Sequence, residues 1–236
     1  VVVGAAGGIG RALIARLQAD PRVGHTTALS RHRPEGWPED TACSWRPVDI
    51  LDEASLAGAA DHAGRHGPVT RIIVATGLLH APGLVPEKSL NALDAAQMAQ
   101  VIGVNAIGPA LVAKHFLPLT PRDRPSLFAA LSARVGSIGD NRLGGWFSYR
   151  ASKAALNQLI HTAAIEHRRT RPLGVCVALH PGTVETALSV PFTDTMPKSR
   201  LFDPSVAAGH LLSVMDNLGP ENTGGFFAWD GAVVPW

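Results

Sequence analysis

The chain is poor in the residues that mark most kinds of chemistry. It has two cysteines, three methionines and a single tyrosine in 236 residues, and aromatic side chains make up 6%. Cys43 and Cys176 lie in apolar, strand-like runs and read as reduced core residues of a cytoplasmic protein, not as a disulfide framework or a metal site. Charged residues reach only 17% and the formal net charge is +2, which fits neither a disordered chain nor a strongly basic nucleic-acid binder. The short patch Arg31-His32-Arg33 is the densest basic run, and a solvated loop or a phosphate contact accounts for it. The ten histidines show no ligand spacing such as H-E-x-x-H, so no metal is expected. The apolar opening Val1-Val2-Val3-Gly4 has no basic segment before it and meets Arg11 too soon to be a leader or a membrane span. It opens inside a strand and without Met, so a few upstream residues are expected.

What is present is a large apolar fraction, 46%, enough for one substantial domain over residues 1–236. Val1-Val2-Val3 reads as a β-branched strand. Gly4-Ala5-Ala6-Gly7-Gly8-Ile9-Gly10 then turns into a helix from Ile9 to Ala19. Strand, glycine turn, helix is the context in which a dinucleotide pyrophosphate is bound: glycines admit the phosphates to the backbone, and the helix N-terminus offers free N–H groups. Further strands are expected at His25–Leu29, Cys43–Val48, Ile72–Ala75, Leu127–Leu131, Val175–Leu179 and Gly225–Trp229. Helices are expected at Asp52–Arg65, Leu90–Phe116, from Tyr149 to Arg168, and from Pro204 to Asn217. Alternating strands and helices predict a doubly wound Rossmann-type parallel sheet of about seven strands, with helices on both faces. Residues 187–203 show no clear period and are expected to form a lid over a pocket.

Chemistry is concentrated in Tyr149-Arg150-Ala151-Ser152-Lys153. Positions i and i+4 share a helix face, so the phenol and the ammonium project together. A nearby positive charge favours the phenolate, and the expectation is a lowered phenol pKa and an acid/base role for Tyr149. Asn105 falls inside the long helix, where asparagine is unfavourable, so a polar task is expected of it. The second strand ends in Ser30-Arg31 with no acidic residue to hold an adenosine ribose; a guanidinium there suits a 2′-phosphate, which favours NADP(H) over NAD(H). Leu78, Leu79, Trp146, Phe147, Phe192 and Met196 are candidates to line an apolar pocket, with core packing as the competing reading.

Taken together, Gly4-x-x-x-Gly8-x-Gly10, Asp49, Asn105, Tyr149-x-x-x-Lys153 and Pro181-Gly182 with Thr186 resemble the short-chain dehydrogenase/reductase family, in family order and over essentially the whole chain. The run from Gly136-Ser137-Ile138 to Asn157 is similar to the branch of sniffer-type carbonyl reductases and C-factor signalling proteins. The resemblance implies Tyr149 as acid/base, Lys153 as its tuner and the holder of the nicotinamide ribose, and Asn105 as the anchor of a water. It also implies a substrate-orienting serine after the fifth strand, Asp49 on the adenine and Thr186 on the nicotinamide amide. The cofactor-binding set it implies is Gly4, Gly8, Ile9, Gly10, Ser30, Arg31, Asp49, Ile50, Gly77, Tyr149, Lys153, Pro181, Gly182, Val184 and Thr186. Three departures stand out. Val74-Ala75-Thr76-Gly77 replaces the family's Asn-Asn-Ala-Gly, and His180 replaces a common Asn. Ser132-Ala133-Arg134-Val135-Gly136 replaces Ser-Ser-x-x-Gly, so strict register puts the orienting serine at Ala133. Ser132 is the chosen substitute, with Ser137 competing. The expected activity is hydride transfer between nicotinamide and a small carbonyl or secondary alcohol, by a homodimer or homotetramer. A non-catalytic cofactor-binding regulator on the same fold is the alternative, and dehydration or epimerisation a further one.

Overall fold

The computed structural model describes residues 1–34, 37, 42–194 and 196–236. Its seven-stranded sheet runs β3 (Cys43–Pro47), β2 (Thr26–Ser30), β1 (Val2–Val3), β4 (Arg71–Val74), β5 (Ser126–Leu131), β6 (Gly174–His180) and β9 (Phe226–Ala228), all in parallel register. Strand order reverses at β1, which pairs β2 through Val2 with Ala28 and β4 through Val2 with Ile73. The crevice for a ligand in such a sheet opens at the strand C-termini beside that reversal.

Adjacent strand residues explain the two-sided burial. Val3, Leu29, Ile72, Val74 and Phe128 point into one core, closed by α2 (Glu53–Gly64), α4 (Gly108–Phe116) and α5 (Phe147–Arg168). Val2, Ala28, Ile73, Leu127 and Ala129 point into the other, closed by α1 (Gly8–Gln18) and α6 (Pro204–Asp216). A strand with one residue apolar toward each face reads as a continuous hydrophobic run, as seen here. Cys176 lies in the first core and Cys43 in the second.

Two expectations are refined. The long helix predicted from Leu90 begins instead at Ala95, where Asp94 caps it by accepting from Gln97 N–H at 2.8 Å. It forms α3 (Ala95–Ile102), widens into a π turn over Gly103–Ile107, and continues as α4. The helical run 95–119 is apolar enough by length and composition for a membrane span, but Val112, Ala113 and Phe116 pack in the sheet core, as in a core helix. The expected lid is not structureless. It leaves from β7 (Thr183–Val184) and returns through β8 (Leu201–Phe202), which pair with each other in parallel. Short 3-10 turns lie at Val190–Phe192 and Lys198–Arg200, and residue 195 falls outside the described residues.

Candidate active site

The glycine turn is a product of close backbone packing. Gly4 (φ +91°) donates to Leu29 O at 2.8 Å and accepts from Gly7 N–H at 3.0 Å. A methyl group added at Gly10 would lie 2.2 Å from Gly4 O, so only glycine lets α1 start this close to β1. Gly7 caps α1 without any side-chain hydrogen bond, and the first turn holds no acidic residue. The opening amides, including those of Gly8, Ile9 and Gly10, have no intrahelical acceptor and are left for an anion. Thr186 stands across from them, its γ-methyl 2.8 Å from where a Cβ on Gly8 would sit. This cradle fits a dinucleotide pyrophosphate.

On the adenosine side the expected residues differ in what the fold leaves available. The Ser30 hydroxyl is committed to the fold: it donates to His32 O at 2.8 Å and accepts from Trp45 Nε1–H at 2.9 Å. Arg31 is exposed at the end of β2. Asp49 is also exposed and accepts from Leu51 N–H at 2.9 Å. The Ile50 side chain packs against Gly108, where a Cβ would meet it at 2.7 Å, so any nucleotide contact by Ile50 falls to its backbone. Gly182 (φ +78°) owes its identity to the rings of Phe202 and Trp229, 2.6 and 3.1 Å from a virtual Cβ. Pro181 beside it is half-buried, and Val184 is buried in β7. His180 before them is held neutral, since burial pushes its imidazole down to about 4.

Asn105, Gly77, Tyr149 and Lys153 do come together. The π turn aims the fully buried Asn105 amide at the loop after β4. Its Oδ1 accepts from Leu78 N–H at 2.7 Å, and its Nδ2 donates to Leu78 O at 2.8 Å and to Ser152 Oγ at 3.0 Å. Both amide hydrogens are therefore engaged, and only an Oδ1 lone pair remains for a water. A Cβ on Gly77 would lie 3.8 Å from Asn105 Oδ1 and 3.9 Å from Lys153 Nζ, which places that loop directly over the pair.

Tyr149 and Lys153 share a face of α5 as expected, with Lys153 Nζ 5.8 Å from the Tyr149 ring centre. The expected depression of the phenol pKa is corrected, because burial pushes the phenol up, above its ordinary range. The partner is desolvated as well: burial lowers the Lys153 ammonium to about 8, and it donates to Leu131 O at 2.8 Å. At neutral pH the pair is therefore a protonated phenol beside a mostly charged amine.

The serine expectation is also corrected. Ser132 Oγ donates to Asn157 Oδ1 at 2.6 Å, buried under α5. Ser137 is buried too, and its Oγ accepts from Asp140 N–H at 3.1 Å. It is Ala133, next along the chain from Ser132, that packs in the cluster around Tyr149, with Leu79, Leu84, Trp146, Leu188 and Phe192. Successive residues at a strand exit face opposite ways, so a hydroxyl one position early cannot reach the pocket. Of the pocket candidates, Leu78, Leu79, Trp146 and Phe192 belong to this cluster, and Phe147 and Met196 are half-buried outside it. The segment after β7 reaches in through Leu188 and Phe192, and His80 Nε2–H donates to its Ala187 O at 3.0 Å.

Three contributors escaped the sequence reading. Ser152 bridges Asn105 to the carbonyl of Tyr149. Gly136 lets α5 approach the β5 exit, since a Cβ there would lie 2.6 Å from that of Lys153. Glu87, 6% exposed, accepts from the Ser148 amide and hydroxyl at the start of α5. The adjacent pairs Ser152-Lys153 and Gly136-Ser137 carried a trace of the first two; nothing local marks Glu87.

A doubly wound sheet with a bare glycine-capped helix and a tyrosine–lysine pair beside the crevice defines a dinucleotide-dependent oxidoreductase class. The chain belongs to the short chain dehydrogenase family, whose sequence model matches residues 1–197, and is an oxidoreductase of that family. It is 38% identical over 149 residues to the C-signal protein of Myxococcus xanthus, covering 63% of this chain and 84% of that one. It is 30% identical over 190 residues to 1-hydroxy-2-glutathionyl-2-methyl-3-butene dehydrogenase of a Rhodococcus species, covering 80% and 78%. Among solved structures, the NADPH-bound carbonyl reductase from chicken fatty liver superposes with a TM-score of 0.84 at 27% identity, covering 100% of this chain and 98% of that one. The carbonyl reductase Sniffer of D. melanogaster shares the fold, with a TM-score of 0.84 at 22% identity over 100% and 98%.

Proposed function

We propose that the protein reduces a small carbonyl compound with NADPH, with Tyr149 donating the proton to the carbonyl oxygen. The observation that carries this reading is a buried Tyr149 one helical turn from Lys153, whose Nζ lies 5.8 Å from the phenol ring centre, under the loop bearing Gly77. When bound, the nicotinamide supplies the hydride. The chain supplies the rest. Gly8, Ile9 and Gly10 offer amides to the pyrophosphate, and Thr186 closes over them. Lys153 would hold the ribose, and its charge, 5.8 Å from the ring centre, stays near the phenol as the proton leaves. A phenol raised by burial is protonated at neutral pH, so it starts as an acid, which favours reduction over alcohol oxidation. Arg31, exposed at the end of β2, supports the preference for the 2′-phosphate.

NADPH oxidation with a panel of aldehydes and ketones tests the proposal, alongside Tyr149→Phe. Turnover by the native protein, lost in the variant while NADPH affinity stays within about threefold, is expected, since general acid catalysis contributes roughly 10²–10⁴. Tight NADPH binding with no carbonyl turned over would contradict it. A second reading has one observation in its favour: at Ala133, where a hydroxyl would orient the substrate, a methyl group packs in the cluster around Tyr149. That is the pattern of a weak catalyst or of a cofactor-binding regulator, and the same panel separates them.

A further inference from the structure

The segment leading into α5 carries a run of left-handed backbone. Gly144 (φ +64°), Gly145 (φ +65°) and Trp146 (φ +51°) follow one another, and Trp146 is the one non-glycine residue with positive φ among those described. A bulky residue in that region is strained, and persists only where its surroundings over-determine it. Two side chains do so here. Arg150 Nε donates to Gly145 O at 2.9 Å, Nη2 to Gly144 O at 3.1 Å, and Nη1 to Val135 O at 3.2 Å. Glu87 takes the other side: its carbonyl accepts from Trp146 N–H at 2.5 Å, and its buried carboxylate accepts from Ser148 N–H at 3.2 Å and from the Ser148 hydroxyl. The clamp holds the indole edge-on to Tyr149, with ring centres 6.1 Å apart, and edge-on to Phe192 of the lid at 5.2 Å.

The clamp also fixes the pocket's charge. Arg150 is occupied by backbone carbonyls, Lys153 donates to Leu131 O, and His80 donates to Ala187 O. Leu79, Leu84, Ala133, Leu188 and Phe192 pack with Trp146 around Tyr149. Resting on the reductase reading above, we propose that Trp146 is the residue by which this site selects its substrate: an uncharged carbonyl compound carrying a flat apolar group that packs on the indole, with Glu87 and Arg150 as positioning residues.

The test compares benzaldehyde, 4-carboxybenzaldehyde and propanal with NADPH. The native protein is expected to favour benzaldehyde over its carboxylate. Trp146→Ala is expected to lose about tenfold or more in kcat/KM on benzaldehyde, through KM, and under about twofold on propanal. Glu87→Gln is expected to move the benzaldehyde-to-propanal ratio the same way by a smaller factor, with kcat on propanal retained. Equal losses on both aldehydes in Trp146→Ala, or an unmoved ratio, would overturn the assignment; a uniform fall in kcat in Glu87→Gln would reduce that residue to a structural one and overturn the clamp. Calorimetric titration of benzaldehyde into the NADPH complex separates the two layers. Weaker binding to Trp146→Ala without turnover by the native protein keeps the selecting wall and sinks the reductase, whereas turnover without discrimination does the reverse.

Discussion

The glycine turn and the Tyr149 pocket sit a few residues apart in space, yet they are built by different means. At the turn the backbone decides everything: a Cβ at Gly10 would meet Gly4 O at 2.2 Å, and no side chain caps α1. In the pocket the direction of each side chain decides. Ser132 and Ala133 are neighbours in sequence, but the hydroxyl is bonded to Asn157 and the methyl packs near Tyr149. A backbone site tolerates no added atom; a side-chain site is rewritten by moving one hydroxyl by one position.

Substitutions can break or sharpen that contrast. The largest effect is expected from Lys153→Met, which removes the charge beside the phenol and orphans Leu131 O; kcat should fall roughly a thousandfold in NADPH turnover assays. Gly10→Ala should cost about 3 kcal/mol or more in denaturant unfolding and abolish NADPH binding, because neither contacting group is a flexible side chain. A well-folded Gly10→Ala protein that binds NADPH would end the claim that backbone packing makes the cradle. Ser132→Ala should lower stability by about 1–3 kcal/mol through the buried Asn157 left without its partner, with kcat unchanged. Ala133→Ser should do the opposite, raising kcat/KM with stability within about 1 kcal/mol. Arg31→Ala should reduce the preference for NADPH over NADH by about tenfold, worth about 1.4 kcal/mol, with kcat at saturating cofactor unchanged. The smallest effect concerns His180, whose burial lowers it from 6.5 to about 4. The folded state then binds fewer protons than the unfolded state between those values, so stability falls as pH drops from 6.5 toward 4. His180→Asn should flatten that acid-side slope in melts taken across the window.

The same contrast explains how far the sequence could be read. The parallel sheet and its two buried faces follow from apolar strands with residues facing each way, such as Val2-Val3 and Ile72-Ile73, and from glycines at fixed offsets. The Tyr149–Lys153 pair was legible because one helix turn sets its spacing, and Asn105 because asparagine is unfavourable inside a helix. The π turn that presents Asn105 was not, since Gly103-Val104-Asn105 is compatible with ordinary helix. Nor was the environment of the phenol: spacing predicts a nearby amine, but burial, which raises Tyr149 and lowers Lys153, belongs to the packed state. Glu87 is furthest from legible. It lies 61 positions from Ser148 in a proline-rich loop, and only the fold brings them together.

The most direct measurement is the fate of the hydride. With NADPH deuterated at the transferable C4 position and an aromatic aldehyde, the account predicts an alcohol bearing one deuterium at the former carbonyl carbon, formed by the native protein and not by Tyr149→Phe. Alcohol without deuterium, or equal labelled product from the variant, would contradict it.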